Sequence, residues 1–181
     1  MSKAVLMSIH PKWCELIANG KKTVEVRKSR PKIETPFKVY IYCTDGYVAP
    51  DSFIFSNGLS KTVIGEFVCD EIIAAELGSY CKIPLQAAQL DAFDLMEYAD
   101  NKPVYGWHIS NLIIYDKPKE LSEFFVYCDR CDKRPIACKF AYEESNENGY
   151  YSECMCDFKR PITRPPQSWC YVEEKAGADN E

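Results

Sequence analysis

No apolar run in this 181-residue chain approaches the ~18 residues that a membrane-spanning helix needs, so no transmembrane helix is expected. The opening MSKAVLMSIHPKW has neither the apolar stretch nor the small-residue cleavage site of a secretory leader, and the expected location is cytoplasmic. Histidine is scarce: only two are present, His10 and His108. No internal repeat is present, which argues against a solenoid or propeller. Basic residues are outnumbered, 22 against 27 acids, for a net charge of −5. A mostly acidic surface repels phosphate, so a long double helix is a poor partner.

What is present is enough for one domain with a real core, since 46% of the residues are hydrophobic. The basic residues are also unevenly placed. Residues 1–38 carry nine lysines or arginines against three acids, and the remainder carries thirteen against twenty-four. A local cationic block of this kind steers an anionic ligand even on an acidic protein.

The pattern predicts a strand over 4–9, then a helix opened by Pro11 with His10 near its cap. Trp13, Leu16 and Ile17 form that helix's apolar stripe, so Trp13 reads as core, and Gly20 is its expected stop. Strands follow over 23–28 and 37–44, with one long strand over 62–77, bent at Gly65. Pro84 opens a helix, 90–99 reads as another, and 103–116 reads as one strong strand rich in aromatic and β-branched residues. An extended segment over 160–174 ends in a short strand, and residues 175–181 read as a disordered tail. This order predicts an α+β fold built on a small mixed barrel with short flanking helices, a single domain over 1–181. Residues 127–160 read as a cysteine-rich insertion within it.

The stretch Gly20-Lys21-Lys22-Thr23-Val24-Glu25-Val26-Arg27 carries the pattern G-x-K-x-x-E-x-R on Gly20, Lys22, Glu25 and Arg27. With the preceding SIHPKWCELI and the downstream VIGEFVCDEI and YGWHISNLIIYDKPKEL, it resembles the ASCH family of bacteria and their phages. The likeness spans roughly 3–126 and resumes at 160–174. It implies a PUA-like β-barrel with a cleft against the first helix, and binding of RNA or a modified nucleoside. Some relatives are amidohydrolases of N4-acylated cytidine. They match this chain at Lys22, but they have a threonine where Glu25 stands and use a further glutamate, for which Glu66 is the candidate here. A module of a phage or prophage that binds another protein is a third reading.

The chemistry of the residues is compatible with binding. Strand alternation puts Thr23, Glu25 and Arg27 on one face, and Lys22 joins them if it lies in the turn after Gly20. Glu25 can accept hydrogen bonds from a base edge, and Arg27 can grip a phosphate or base with two donors. Trp107 and Trp169 are candidate stacking platforms, with core packing the competing role. If the protein is an enzyme, Lys22 and Glu66 are the candidate catalytic pair, with Lys22 deprotonated by burial. Ten cysteines are many for a chain without a leader. Cys128-x-x-Cys131 and Cys154-x-Cys156 form two close pairs that suit a structural Zn²⁺, with Cys138 a spare ligand. No histidine lies near them and four thiolates close the metal's shell, so a catalytic zinc is not expected there.

Overall fold

Apolar residues run almost without interruption through β1 (Lys3–Ile9) and β3 (Phe37–Cys43), the pattern of strands buried on both faces. In the computed structural model, which describes residues 2–47, 49–75, 82–127 and 160–174, these two strands pair in parallel at the centre of a five-stranded sheet. Helix α1 (Pro11–Ala18) and strand β2 (Val24–Arg27) lie in the connection between them. Around this pair, β8 (Trp169–Glu173) joins β1, β4 (Val63–Cys69) joins β3, and β7 (Ser110–Lys119) joins β4, all antiparallel. A second sheet, antiparallel throughout, has the order β2–β6–β5, with β5 at Ile72–Ala75 and β6 at Val104–His108.

Alternation then assigns the cores. Val5, Met7, Val39 and Ile41 face a core shared with Ile17 of α1 and Trp107 of β6. Leu6, Tyr40 and Tyr42 face the other way, against Phe124, Ile162 and Val172. On the small sheet, Val24 and Val26 pack under α3 (Leu85–Ala88) and α4 (Ala92–Ala99), beside Ala88, Leu95 and Ala99. That leaves Glu25 and Arg27 on the opposite face of β2.

The α+β class is as the sequence predicts, but the strands are not closed into a barrel. The physical reason lies in two interruptions within stretches that read as single long strands. The expected long strand over 62–77 breaks at Asp70–Glu71, and the expected strand over 103–116 breaks at Ile109. Each break hands the chain from one sheet to the other. Asp70 and His108 meet at this junction, 2.6 Å apart, and the His108 N–H donates to the Glu71 carbonyl. A short helix, α2 (Phe53–Ser56), capped by the Ser52 hydroxyl, was not evident from the pattern.

Gly65 lies within β4, at a register shift between β4 and β7. A Cβ built there overlaps the Ile113 carbonyl, which is backbone and cannot swing aside. Gly65→Ala is therefore expected to cost about 1–3 kcal/mol through forced strand separation. A denaturant midpoint unchanged from the parent would contradict this close approach.

The backbone N–H of Val126 donates to the carbonyl of Arg160 at 3.0 Å, and Phe125 bridges Pro161. Residues 125–126 and 160–161 are thus neighbours in space. Cys128, Cys131, Cys138, Cys154 and Cys156 lie outside the described residues, as does the tail over 175–181. Among the described residues no helix is long and apolar enough to cross a membrane.

Candidate functional site

Helix α1 starts where the sequence says it should. Pro11 occupies its first turn and the His10 ring accepts from the Lys12 N–H at 3.4 Å. The helix stops at Asn19, and Gly20 takes a φ of +73°, the left-handed conformation that glycine adopts without strain. The tight reversal leaves Lys22 in the turn before β2, tied back by its N–H to the Leu16 carbonyl. Its side chain can therefore join Glu25 and Arg27 even though strand alternation would separate them.

All three line one cavity of about 500 Å³ between α1, β2, α4 and the segment preceding β8. Its walls include Trp13, Tyr98 and Asp94, with Pro165, Pro166 and Gln167 along one side. The Ser8 hydroxyl fixes that side by donating to the Pro166 carbonyl at 2.7 Å. Lys22 is 2% exposed and Glu25 is 5% exposed. Arg27 Nη2 lies 3.0 Å from Glu25 Oε1 and donates to the Ser8 carbonyl at 2.7 Å. Lys22 Nζ donates to the Ala88 carbonyl at 2.6 Å and lies 4.8 Å from the centre of the Trp13 ring. The 3.4 Å between Lys22 Nζ and Glu25 Oε2 makes an ion pair but not an aligned hydrogen bond, so Oε2 lacks a hydrogen-bond partner. Arg27 Nε is buried and lacks one too. The buried Lys22–Glu25–Arg27 cluster therefore holds two cations against one carboxylate, with one acceptor and one donor unused.

Burial pulls the Lys22 ammonium below the ordinary lysine value; Glu25 opposes that pull and Arg27 adds to it. The sign of the consequence follows from proton counting. Between the lowered folded value and the ordinary unfolded one, the unfolded chain binds more protons, so this group makes stability rise with pH. Below that window the burial penalty is present in full. Lys22→Met is expected to abolish the rise, seen as a parent-minus-variant stability difference that increases from pH 7 toward pH 10. A flat difference would mean that Lys22 titrates as a solvated lysine.

The other predicted site residues are placed elsewhere. Trp107 is fully buried, packed edge-on to Phe37 with ring centres 5.6 Å apart, and its indole N–H has no hydrogen-bond partner. It stands opposite Glu25 in the β2–β6 register but does not line the cavity. The stacking role is thus corrected to core packing, because β6 is covered by the large sheet. Trp169 packs at a tilt against Trp107 and edge-on against Tyr171, donates to the Ser29 hydroxyl at 3.0 Å, and also does not line the cavity. Glu66 stands opposite Tyr40, on the side of the large sheet away from α1. There it accepts from the Tyr115 hydroxyl at 2.5 Å and pairs with Lys38 at 2.9 Å. A Lys22–Glu66 catalytic pair is therefore not formed, since β4 turns that carboxylate to the opposite core.

Thr23 precedes the strand and does not line the cavity; Trp13, read as core, does line it while also touching the core. Asp94 and Tyr98 were missed as well. Their helix was predicted, but nothing local ties it to residues seventy positions earlier. Among the described residues no group of His, Cys, Asp and Glu has the arrangement of a metal site. The thiols of Cys14 and Cys69 are buried, and burial pushes the Cys69 thiol up to about 12, which makes it an inert packing group.

A two-sheet α+β scaffold with its charged residues gathered under the first helix defines a PUA-like domain. The chain belongs to the ASCH domain family, which its residues 7–119 match. This is a type of domain generally linked to RNA binding. The fold is similar to the crystal structure of ASCH from Zymomonas mobilis, with a TM-score of 0.57 and 17% identity over 94% of this chain and 88% of that one. It is also similar to a mutant form of that protein, with a TM-score of 0.58 and 17% identity over 96% of this chain and 92% of that one. At such identity the likeness is one of fold. No curated protein matches the chain.

Proposed function

We propose that the cavity binds a nucleobase, carried by RNA or by a modified nucleoside. The observation that carries this reading is the buried Lys22–Glu25–Arg27 cluster, with Glu25 Oε2 and Arg27 Nε unpartnered beside a cavity of about 500 Å³. Ligand cavities commonly run to about 300–1,000 Å³. An unpaired acceptor and an unpaired donor on two residues that line the cavity suit the hydrogen-bonding edge of a heterocycle, and buried polar groups discriminate strongly because a wrong ligand leaves them unpaired. Trp13 and Tyr98 offer flat walls. A base stacking on Trp13 displaces Lys12, whose exposed ammonium lies 4.6 Å from that ring. Stacking of this kind contributes about 1–3 kcal/mol per base.

The test is calorimetric titration with a panel of nucleosides and short RNAs at two salt concentrations. Trp13→Ala is expected to weaken binding roughly 10-fold to 100-fold, in line with the loss of one stacked base, and to lower stability as well, because the ring also packs against the core. No heat from any nucleoside or RNA would overturn the proposal.

Amide hydrolysis of an N4-acylated cytidine is a second reading, favoured by one observation. Lys22 Nζ is buried 3.4 Å from a carboxylate, here Glu25, and burial lowers the amine's proton affinity. Release of cytidine from N4-acetylcytidine, lost in Lys22→Met, would establish it, and absence of release would dismiss it. The insertion carries a separate proposal: Cys128, Cys131, Cys154 and Cys156 hold a structural zinc. Metal analysis of protein purified without added metal should give a ratio near one, and a ratio near zero removes the idea.

A further inference from the structure

We infer that the main chain of Val26, at the open edge of β2, reads the hydrogen-bonding edge of the bound base, which lies beside β2 as an added strand would. The inference rests on the nucleobase reading of the cavity and names its substrate class: heterocycles whose edge carries an unsubstituted donor beside an acceptor.

Strand pairing decides where the Val26 peptide groups point. The Ile109 N–H donates to the Thr23 carbonyl at 2.9 Å, and Glu25 stands opposite Trp107 in the β2–β6 register. Along an antiparallel strand, residues alternate between bonding the neighbour and facing away from it. Glu25 and Arg27 therefore bond β6, while Val24 and Val26 turn their N–H and C=O groups to the other side. The next ladder keeps the same phase, since the His108 N–H donates at 3.0 Å to the Glu71 carbonyl, on the β5 side. β2 is the last strand of its sheet, so the Val26 groups meet no further strand. Among the described residues nothing bonds to them.

The cavity reaches Val26 by that edge. Alternation puts the Val26 side chain opposite Glu25 and Arg27, under α3 and α4, where the residue is 7% exposed. Yet Glu25, Val26 and Arg27 all line the cavity. Consecutive residues that point to opposite faces border one cavity where it meets their strand edge-on. The flat walls stand on either side of this edge. Trp13 lies on the Glu25 side, since the Lys22 ammonium is 3.4 Å from Glu25 and 4.8 Å from the Trp13 ring. Tyr98 belongs to α4, which packs on the Val26 side. A base entering between these rings presents its edge, not its face, to β2.

An edge strand offers a donor and an acceptor at fixed spacing, the pair that holds an added peptide strand in other proteins. A base edge with a donor beside an acceptor answers the same pair. These groups are set by the backbone and not by a rotamer, so binding spends little on ordering them. They add to Glu25 Oε2 and Arg27 Nε. Methylating the base edge would remove its donor and place a methyl group against the strand.

The test uses the full chain carrying a backbone ester, with α-hydroxyisovaleric acid in place of Val26 or, as a control, of Val24. Each ester keeps the side chain and removes one N–H that the β6 ladder does not use. Each also weakens the carbonyl before it, of Glu25 or Thr23, which the ladder does use, so the cost to folding is matched. Val26 lines the cavity and Val24 does not. The probes are cytidine, uridine, adenosine and guanosine. The Val26 ester should bind the preferred nucleoside roughly tenfold more weakly than the parent, and the Val24 ester should match the parent. N4,N4-dimethylcytidine, 3-methyluridine, N6,N6-dimethyladenosine and 1-methylguanosine should each bind about tenfold or more weakly than the unmethylated form of any nucleoside that binds. Hydrogen exchange at the Val26 amide should slow when that nucleoside saturates the parent. Parental affinity in the Val26 ester, equal losses in both esters, or a methylated nucleoside bound as well as its counterpart would overturn the inference and leave the cavity reading intact. Failure of all four nucleosides to bind the parent would overturn both.

Discussion

Glu25→Ala should lower the unfolding free energy by about 3–5 kcal/mol, because it strands two buried cations that share one carboxylate. Lys22 and Arg27 lie 3.4 and 3.0 Å from Glu25, and Lys22 is almost wholly removed from solvent. Without the carboxylate, the remaining partners are carbonyl oxygens of Ala88 and Ser8, which orient the cations but do not neutralise them. In a chain of this size, each kcal/mol shifts the melting temperature by roughly 2–4 °C. The expected drop is therefore on the order of 6–20 °C. Adding Lys22→Met to Glu25→Ala should recover part of the loss, since it removes one stranded charge, and a double-mutant cycle would measure that coupling. A loss below about 1 kcal/mol for Glu25→Ala would mean that the cluster is solvated, as in a surface pair.

The second large effect is expected at Trp107. Its indole is fully enclosed between Phe37 and Trp169, so Trp107→Ala should cost about 3–5 kcal/mol, from lost burial and from the cavity left behind. Trp107→Phe separates structure from ligand contact. It removes the unpartnered indole N–H and part of the volume, and it should keep nucleoside affinity close to parental. A Trp107→Phe protein of full stability that no longer binds nucleoside would return this residue to the ligand site.

How far the sequence alone reached can be argued from these residues. Pro11, His10 and Gly20 mark the ends of α1 by local chemistry, so the helix and the turn after it were legible, and with them the place of Lys22 in that turn. Period-two alternation in β2 was enough to set Glu25 and Arg27 on one face against Val24 and Val26. What failed depended on which core a face meets. Glu66 and the Lys22 cluster are both acid–base groups on well-formed strands, yet alternation in β4 sends Glu66 to the core containing Tyr40. No local signal separates that core from the one under α1. The breaks at Asp70–Glu71 and Ile109 were hidden because apolar, strand-forming residues resume within two or three positions on either side, and those breaks replace the expected barrel with two sheets. Trp13 satisfied a helical stripe and was read as core; half-burial beside a cavity gives the same stripe. Tyr98 and the 165–167 segment reach the site from remote parts of the chain, where only the three-dimensional arrangement brings them together.

The cluster also bears on why the protein keeps an arrangement that contributes so little to stability. Two cations and one carboxylate taken out of water are a poor foundation for a core, and apolar residues of similar volume would serve as well or better. Unused hydrogen-bonding capacity at Glu25 Oε2 and Arg27 Nε compounds that cost. A bound heterocycle that satisfies both atoms turns the liability into recognition, and it should raise the melting temperature by mass action.

The most direct measurement is a crystal structure of the protein with the best-binding nucleoside. The account predicts the heterocycle inside the cavity, one ring face against Trp13 or Tyr98, and its polar edge within hydrogen-bond reach of Glu25 Oε2 and Arg27 Nε. A nucleoside seated on another surface, with those two atoms left unpaired, would contradict it.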